Sequence, residues 1–278
     1  MHSHLCKVAD VSWQLAGVAL NSRFLIGSSL YPSPHIMQGA IAESEAEVVT
    51  VSLRRQSPKQ QGGDAFWLHI QGLERHILPN TAGCYSAKDA VMTANMAREV
   101  FNTHWIKLEV LGDEYNLQPD PFALLEATKE LIAQGFEVFP YATDDLVLAE
   151  RLVNAGCNIV MPWGAPIGTG RGLMNPYALK ILRARLPDTT LIIDAGLGAP
   201  SHAAQAMEFG FDGVLLNTAV AEANDPVLMA RAFRDGIRAG RNGFEAGVMQ
   251  QRDLAKPSTP VLGTPFWHQD KNHRGNAS

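Results

Sequence analysis

The chain has 278 residues, longer than the commonest domain but suited to one α/β barrel of about 250 residues. Hydrophobic residues make up 46% and charged residues 18%, and the net charge of −5 comes without a basic block, which argues against a protein that binds by neutralising nucleic-acid phosphates. No apolar run approaches the roughly 20 residues that span a bilayer, and the N-terminus lacks an apolar segment behind a basic start, so neither a membrane span nor a secretory signal is expected. Three widely spaced cysteines, Cys6, Cys84 and Cys157, give neither a disulfide framework nor a zinc motif and fit a reduced, cytoplasmic compartment.

In chain order, Val18–Ile26 reads as a first strand, with room for a short hairpin before it, and a helix follows over Pro34–Ala42. Residues 48–53 form a β-branched, nearly all-apolar strand ending at Arg54-Arg55. A polar loop over 56–63 and a short helix around Asp64–Gln71 come next. His76–Asn80 is the third strand. Ser86, with Asp89 three residues on, opens a helix to Phe101. Trp105–Val110 is the fourth strand, and Asp120-Pro121 supplies a cap and a first-turn proline for a helix that stops at Gly135. Strands over Glu137–Tyr141, Asn158–Pro162, Thr190–Asp194 and Asp212–Leu216 alternate with helices from Asp144, from Asn175-Pro176, over Ser201–Phe209 and from Asp225-Pro226 to about Gly240. Eight strands each followed by a helix, several of them apolar throughout, predict a (β/α)8 TIM barrel, with an open doubly wound sheet as the competing topology. The domain reading is an N-terminal extension over 1–17, the barrel over 18–249, and a flexible C-terminal tail over 250–278, rich in Pro, Gly, Ser, Asn and Gln.

The fourth strand carries the unusual chemistry. Side chains alternate faces along a strand, so Lys107 and Glu109 share one face while Ile106, Leu108 and Val110 take the other. If that face turns into the barrel, burial lowers the lysine pKa while Glu109 raises it, and a neutral amine is what imine formation with a carbonyl requires. The plainer reading is a Lys–Glu ion pair filling the interior, although such pairs add little stability over apolar packing. Asp194, at the end of the seventh strand, is a second candidate acid or base, or else a turn residue. Glycines follow two consecutive strands, Gly164, Gly168, Gly170 and Gly172 after the sixth and Gly196 and Gly198 after Asp194-Ala195 of the seventh, and the eighth strand ends in Asn217-Thr218. Barrels often hold phosphate there, where backbone amides and a helix N-terminus converge; tight turns alone are the alternative. Arg54 and Arg55 either hold an anion or face solvent. Cys84 reads as a buried inert thiol. His2 and His4 are expected to be flexible, and His76, His104 and His202 lack metal-ligand spacing.

Several segments match one family in order: V-T-V-S-L-R-R (49–55), L-P-N-T-A-G-C (78–84), W-I-K-L-E-V-L-G-D (105–113), P-D-P (119–121), M-P-W-G-A-P-I-G-T-G (161–170), I-D-A-G-L-G-A-P-S-H-A-A-Q-A-M-E (193–208) and V-L-L-N-T-A-V (214–220). Together they cover most of residues 18–245, and the chain resembles bacterial thiazole synthase of thiamin biosynthesis. The resemblance implies condensation of 1-deoxy-D-xylulose 5-phosphate, dehydroglycine and sulfur from a thiocarboxylate on a ubiquitin-like carrier protein. By the same resemblance Lys107 forms the imine, Glu109 and Asp194 move protons, and Gly168, Ala195, Gly196, Asn217 and Thr218 contact the sugar phosphate. It further implies a homo-oligomer, a tetramer in the family, and no metal or organic cofactor. The stretches Ser57–Leu73 and Arg252–Pro260 depart from the family pattern. Two other readings of the same residues are a class I aldolase on another sugar phosphate and a non-catalytic sugar-phosphate-binding barrel.

Overall fold

The computed structural model describes residues 12–53, 70, 72–256 and 258. Arg54, Arg55, His2, His4 and Cys6 lie outside those residues, as do the loop over 56–63 and, apart from Ile70, the short helix around Asp64–Gln71. The chain divides after Ala246 into two units. In the second, the described residues form neither helix nor strand.

The first unit begins with an antiparallel hairpin of β1 (Trp13–Leu15) and β2 (Val18–Leu20). Eight parallel strands then close into a barrel: β3 (Phe24–Gly27), β4 (Val48–Ser52), β5 (His76–Asn80), β6 (Trp105–Leu108), β7 (Glu137–Ala142), β8 (Ile159–Pro162), β9 (Thr190–Asp194) and β10 (Gly213–Leu216). β10 pairs with β3 through Val214–Phe24, Leu215–Leu25 and Leu216–Ile26, which closes the ring and excludes the open sheet. Around it run α1 (Pro34–Ser44), α2 (Ala87–Phe101), α3 (Pro121–Ala133), α4 (Leu146–Asn154), α5 (Pro176–Arg185), α6 (Pro200–Glu208), the short α7 (Thr218–Ala221) and α8 (Pro226–Ala246). Among the described residues no helix is long and apolar enough to cross a membrane.

The expected first strand is two elements. Val18–Leu20 belongs to the hairpin, and the barrel strand starts at Phe24. The break at Asn21-Ser22 is held by Glu47, whose carboxylate accepts both backbone N–H groups at 2.6 and 2.8 Å. The hairpin has a packing role: Trp13, Leu15 and Leu20 cluster with inward-facing residues from all eight barrel strands, from Leu25 round to Leu215. Trp13 and Leu15, expected within an N-terminal extension, thus form the barrel's floor. The outward residues of the same strands, such as Val49, Ile106 and Ile193, pack under the helices, so the strands are apolar on both faces.

Two further differences have local causes. α8 continues past Gly240 to Ala246. Gly236 and Gly240 are not stops: a Cβ at Gly236 would lie 2.8 Å from the Pro200 carbonyl oxygen, and one at Gly240 would collide with Ala204, so both glycines let α8 lie close against α6. β6 ends at Leu108, and Glu109 leaves the ladder. Thr81 replaces the missing rung, its hydroxyl accepting the Glu109 N–H at 2.8 Å and donating to the Glu109 carbonyl at 2.7 Å.

Candidate active site

The inward residues at the C-terminal ends of the strands are polar where those at the floor are apolar. Asn80 of β5 pairs with Lys107 of β6, and Lys107 with Phe139 of β7. Lys107 is 6% exposed, Glu109 5% and Asp194 2%. The Lys107 Nζ lies 2.7 Å from Asp194 Oδ2 and 3.3 Å from Glu109 Oε1. The ring of Tyr141, two residues beyond Phe139 on β7, has its centroid 5.8 Å from Nζ. Lys107 and Glu109 therefore do share the inner face, and a residue 87 positions on completes the cluster. Cys84 is buried beside Thr93, its sulfur 3.4 Å from the threonine hydroxyl.

The neighbours of Lys107 are less apolar than its strand suggests, and this settles its charge. Burial pulls the Lys107 pKa down, but the charges of Asp194 and then Glu109, with their hydrogen bonds, outweigh burial and hold it above the ordinary lysine value. Asp194 is pushed up by burial and by Glu109, pulled down by Lys107 and by the Ala195 amide, and comes to about 6. The resting amine is thus an ammonium between two carboxylates, not the neutral group that burial alone would give. The 2.7 Å contact sets beside that proton a carboxylate whose raised pKa suits it to accept one.

The glycine loops lie on the same mouth. Asp194 bridges to Trp163 on one side and pairs with Leu215 on the other, which brings together the loops after β8, β9 and β10. Gly164 N–H donates to the Ala195 carbonyl at 3.2 Å, and Gly172 N–H to the Gly196 carbonyl at 2.8 Å. Close approach explains several of these glycines. A Cβ at Gly196 would lie 2.5 Å from the Ala165 Cβ, and one at Gly172 would lie 2.9 Å from the His202 ring. Gly168 differs: its φ is +76° and a Cβ there would meet nothing within 4 Å. Ala195 holds φ +70°, a left-handed conformation that costs a non-glycine residue about 1 kcal/mol or more, directly after Asp194.

The helix starts distinguish this sector from the rest. Ser33, Ser86, Asp120, Asp145 and Asn175 each cap the helix that follows with a side-chain oxygen. α6, after β9, begins at Ala199 without a side-chain cap, which leaves its first N–H groups to another partner. Asn217 and Thr218 stand at the end of β10 and the start of α7. Asn217 Nδ2 donates to the Ser29 carbonyl at 3.0 Å, and its side chain lies over Gly27, where a Cβ would be 2.6 Å from the Asn217 Cβ.

Among the described residues, and apart from Asp194 Oδ2, which the Lys107 ammonium approaches to 2.7 Å, four buried polar atoms at this end have no hydrogen-bond partner: the hydroxyls of Tyr31, Ser52 and Tyr141, and Asn217 Oδ1. Sequence reading singled out only Asn217. Tyr141 sits on an apolar strand and reads there as core. The available signal was its parity: residues 137, 139 and 141 share a face, and the last of them reaches the mouth, where barrels place chemistry. Among the described residues no group of His, Cys, Asp and Glu is arranged to hold a metal ion.

A parallel barrel enclosing an ammonium and two carboxylates at the mouth where such barrels place their chemistry is the architecture of an enzyme. Within that class the chain belongs to the family described as thiazole biosynthesis protein ThiG, whose model matches residues 14–260, and it is an enzyme of thiazole synthesis. It is 63% identical over 252 residues to the thiazole synthase of Bradyrhizobium diazoefficiens, covering 91% of this chain and 97% of that one. To the thiazole synthase of Rhodopseudomonas palustris it is 64% identical over 247 residues, 89% of this chain and 95% of the relative. Among solved structures, a chain of the Amycolatopsis orientalis BexX/CysO complex superimposes with a TM-score of 0.78 at 29% identity, over 87% of this chain and 99% of that one. Orotidine 5'-monophosphate decarboxylase from Sulfolobus solfataricus, at 12% identity and a TM-score of 0.55 over 79% of this chain and 99% of its own, shares the fold alone. Membership favours the thiazole synthase over the aldolase and the non-catalytic barrel.

Proposed function

We propose that the enzyme builds the thiazole phosphate by holding 1-deoxy-D-xylulose 5-phosphate as an imine on Lys107. The observation that carries this is the enclosure of an amine at the barrel mouth, 2.7 Å from a carboxylate whose pKa burial raises to about 6. Lys107 passes its proton to Asp194 and attacks the sugar ketone, and water leaves once the carbinol oxygen is protonated. A carboxylate, Glu109 or Asp194, removes the proton from the carbon next to the imine carbon, and a proton is delivered to the imine carbon. The shift is redox-neutral: the imine becomes an amine and the neighbouring hydroxyl carbon becomes a ketone. A carrier-protein thiocarboxylate adds to that ketone through sulfur, the acyl group shifts from sulfur to the former ketone oxygen, and the carrier leaves with that oxygen as its carboxylate while sulfur stays on carbon. The nitrogen of dehydroglycine then displaces Lys107 from the neighbouring carbon, and sulfur adds to the dehydroglycine C=N carbon to close the ring.

The sugar phosphate is assigned to Gly168, Ala195, Gly196, Asn217 and Thr218, with the uncapped N-terminus of α6 alongside. A protein partner of the sulfur-carrier type is supported by the similarity to a chain solved as a BexX/CysO complex. The reading calls for no metal or organic cofactor, because the lysine itself activates the ketone. It includes a cytoplasmic location and a homo-oligomer.

Borohydride trapping tests the core of it. Incubation with 1-deoxy-D-xylulose 5-phosphate followed by reduction is expected to add the sugar phosphate to a peptide containing Lys107, read by mass. No adduct, or an adduct on another lysine, overturns the imine reading.

A further inference from the structure

Tyr141 is fully buried, its ring centroid lies 5.8 Å from the Lys107 amine, and its hydroxyl has no hydrogen-bond partner among the described residues. An unpaired buried hydroxyl costs about 1–3 kcal/mol, so a tyrosine kept there without a partner among the described residues needs another reason for its oxygen. Phenylalanine would fill the same space without that cost. Burial and the charges of Asp194 and Glu109 hold the phenol well above the ordinary tyrosine range, so it remains protonated and acts as a donor. The two carboxylates are anchored elsewhere, Asp194 on Lys107 and the Ala195 amide, and Glu109 on Lys107.

We propose that Tyr141 is a further catalytic residue whose hydroxyl donates a hydrogen bond to the substrate oxygen on the carbon beside the one bonded to Lys107. This rests on the imine reading. That oxygen lies one carbon from the atom attached to Nζ, within the space between Lys107 on β6 and Tyr141 on the adjoining β7. The phosphate is assigned to the loops after β8, β9 and β10. The same oxygen changes during the shift from hydroxyl to enol to ketone and gathers negative charge when the enol hydroxyl gives up its proton as the former imine carbon takes one. A donor fixed beside it is worth more at that stage than in the ground state, so its effect falls on turnover rather than on binding.

Tyr141→Phe removes the oxygen and keeps the ring. The trapped adduct on Lys107 is expected to form as in the wild type, while kcat for thiazole formation falls about 100-fold and KM for the sugar phosphate changes less than about threefold. Without substrate the variant's Tm is expected to equal or exceed that of the wild type, because an unpaired hydroxyl has gone. The analogue lacking the oxygen beside the ketone is expected to bind both proteins equally well. Wild-type kcat in Tyr141→Phe, or a lowered Tm with unchanged kcat, overturns the tyrosine's role and leaves the imine intact. Absence of the adduct in the wild type overturns the imine reading and this inference with it.

Discussion

The two ends of the barrel are built from the same eight strands and treated in opposite ways. At the floor, Trp13, Leu15 and Leu20 close the ring with apolar packing, and Trp13 Nε1 donates to the Ser22 carbonyl at 3.0 Å. At the mouth, the described residues bring together an ammonium, two carboxylates and further buried polar atoms without a hydrogen-bond partner. A chain selected for stability alone would fill both ends like the floor. The floor therefore supplies stability and the mouth draws on it, and substitutions at the two ends should separate those roles.

The largest expected effect is at Lys107. Lys107→Met should abolish the borohydride adduct and lower activity more than about a thousandfold. It also leaves two carboxylates buried without their counter-charge, which should cost about 3–5 kcal/mol near pH 7.5. That cost should shrink near pH 5, where Asp194 takes up a proton; urea denaturation at the two pH values measures it. Leu15→Ala, at the floor, should cost about 2–5 kcal/mol of stability in the same assay and leave kcat and KM within about twofold, since it opens a cavity far from the amine. A comparable loss of kcat from the floor would break the division of labour.

Two glycines at the mouth give a finer contrast. Gly196→Ala places a methyl 2.5 Å from the Ala165 Cβ and should force the two loops apart, raising KM for the sugar phosphate about tenfold or more. Gly168→Ala meets no atom within 4 Å and carries only the strain of φ +76°, about 1 kcal/mol, so its KM should change less. The smallest effect is in the pH dependence. The Asp194 pKa is raised from 3.8 to about 6, so its contribution to stability is present at low pH and is lost as pH rises through about 6. Asp194→Asn should flatten the stability profile over that window. In the wild type, imine formation should slow as pH falls below about 6, because the proton acceptor is already filled. A non-phosphorylated ketose separates this from the ionisation of the substrate phosphate.

Much of this architecture is legible in the sequence because it is encoded locally. The alternation of apolar strands and capped helices gives the barrel; Asp120-Pro121 and Asn175-Pro176 do begin helices. The two-residue spacing of Lys107 and Glu109 puts them on one face. What escapes depends on partners distant in the chain. The break between the hairpin and β3 is set by Glu47, some 25 residues beyond it. Gly240 resembles a helix stop until Ala204 is seen against it. The charge of Lys107 follows from how close Asp194 lies, a distance that no local pattern contains. Tyr141 passes for core because its ring does pack like core; only its unmatched oxygen sets it apart.

The seam between the first and last strands carries a consequence for synthesis of the protein. Asn217, at the end of β10, settles over Gly27 of β3 and ties to the Ser29 carbonyl, 188 residues earlier. That half of the mouth comes into being only when the final strand docks against the first. A nascent chain halted before β10 carries Lys107 but lacks both Asp194's neighbouring strand and the Asn217 side of the mouth.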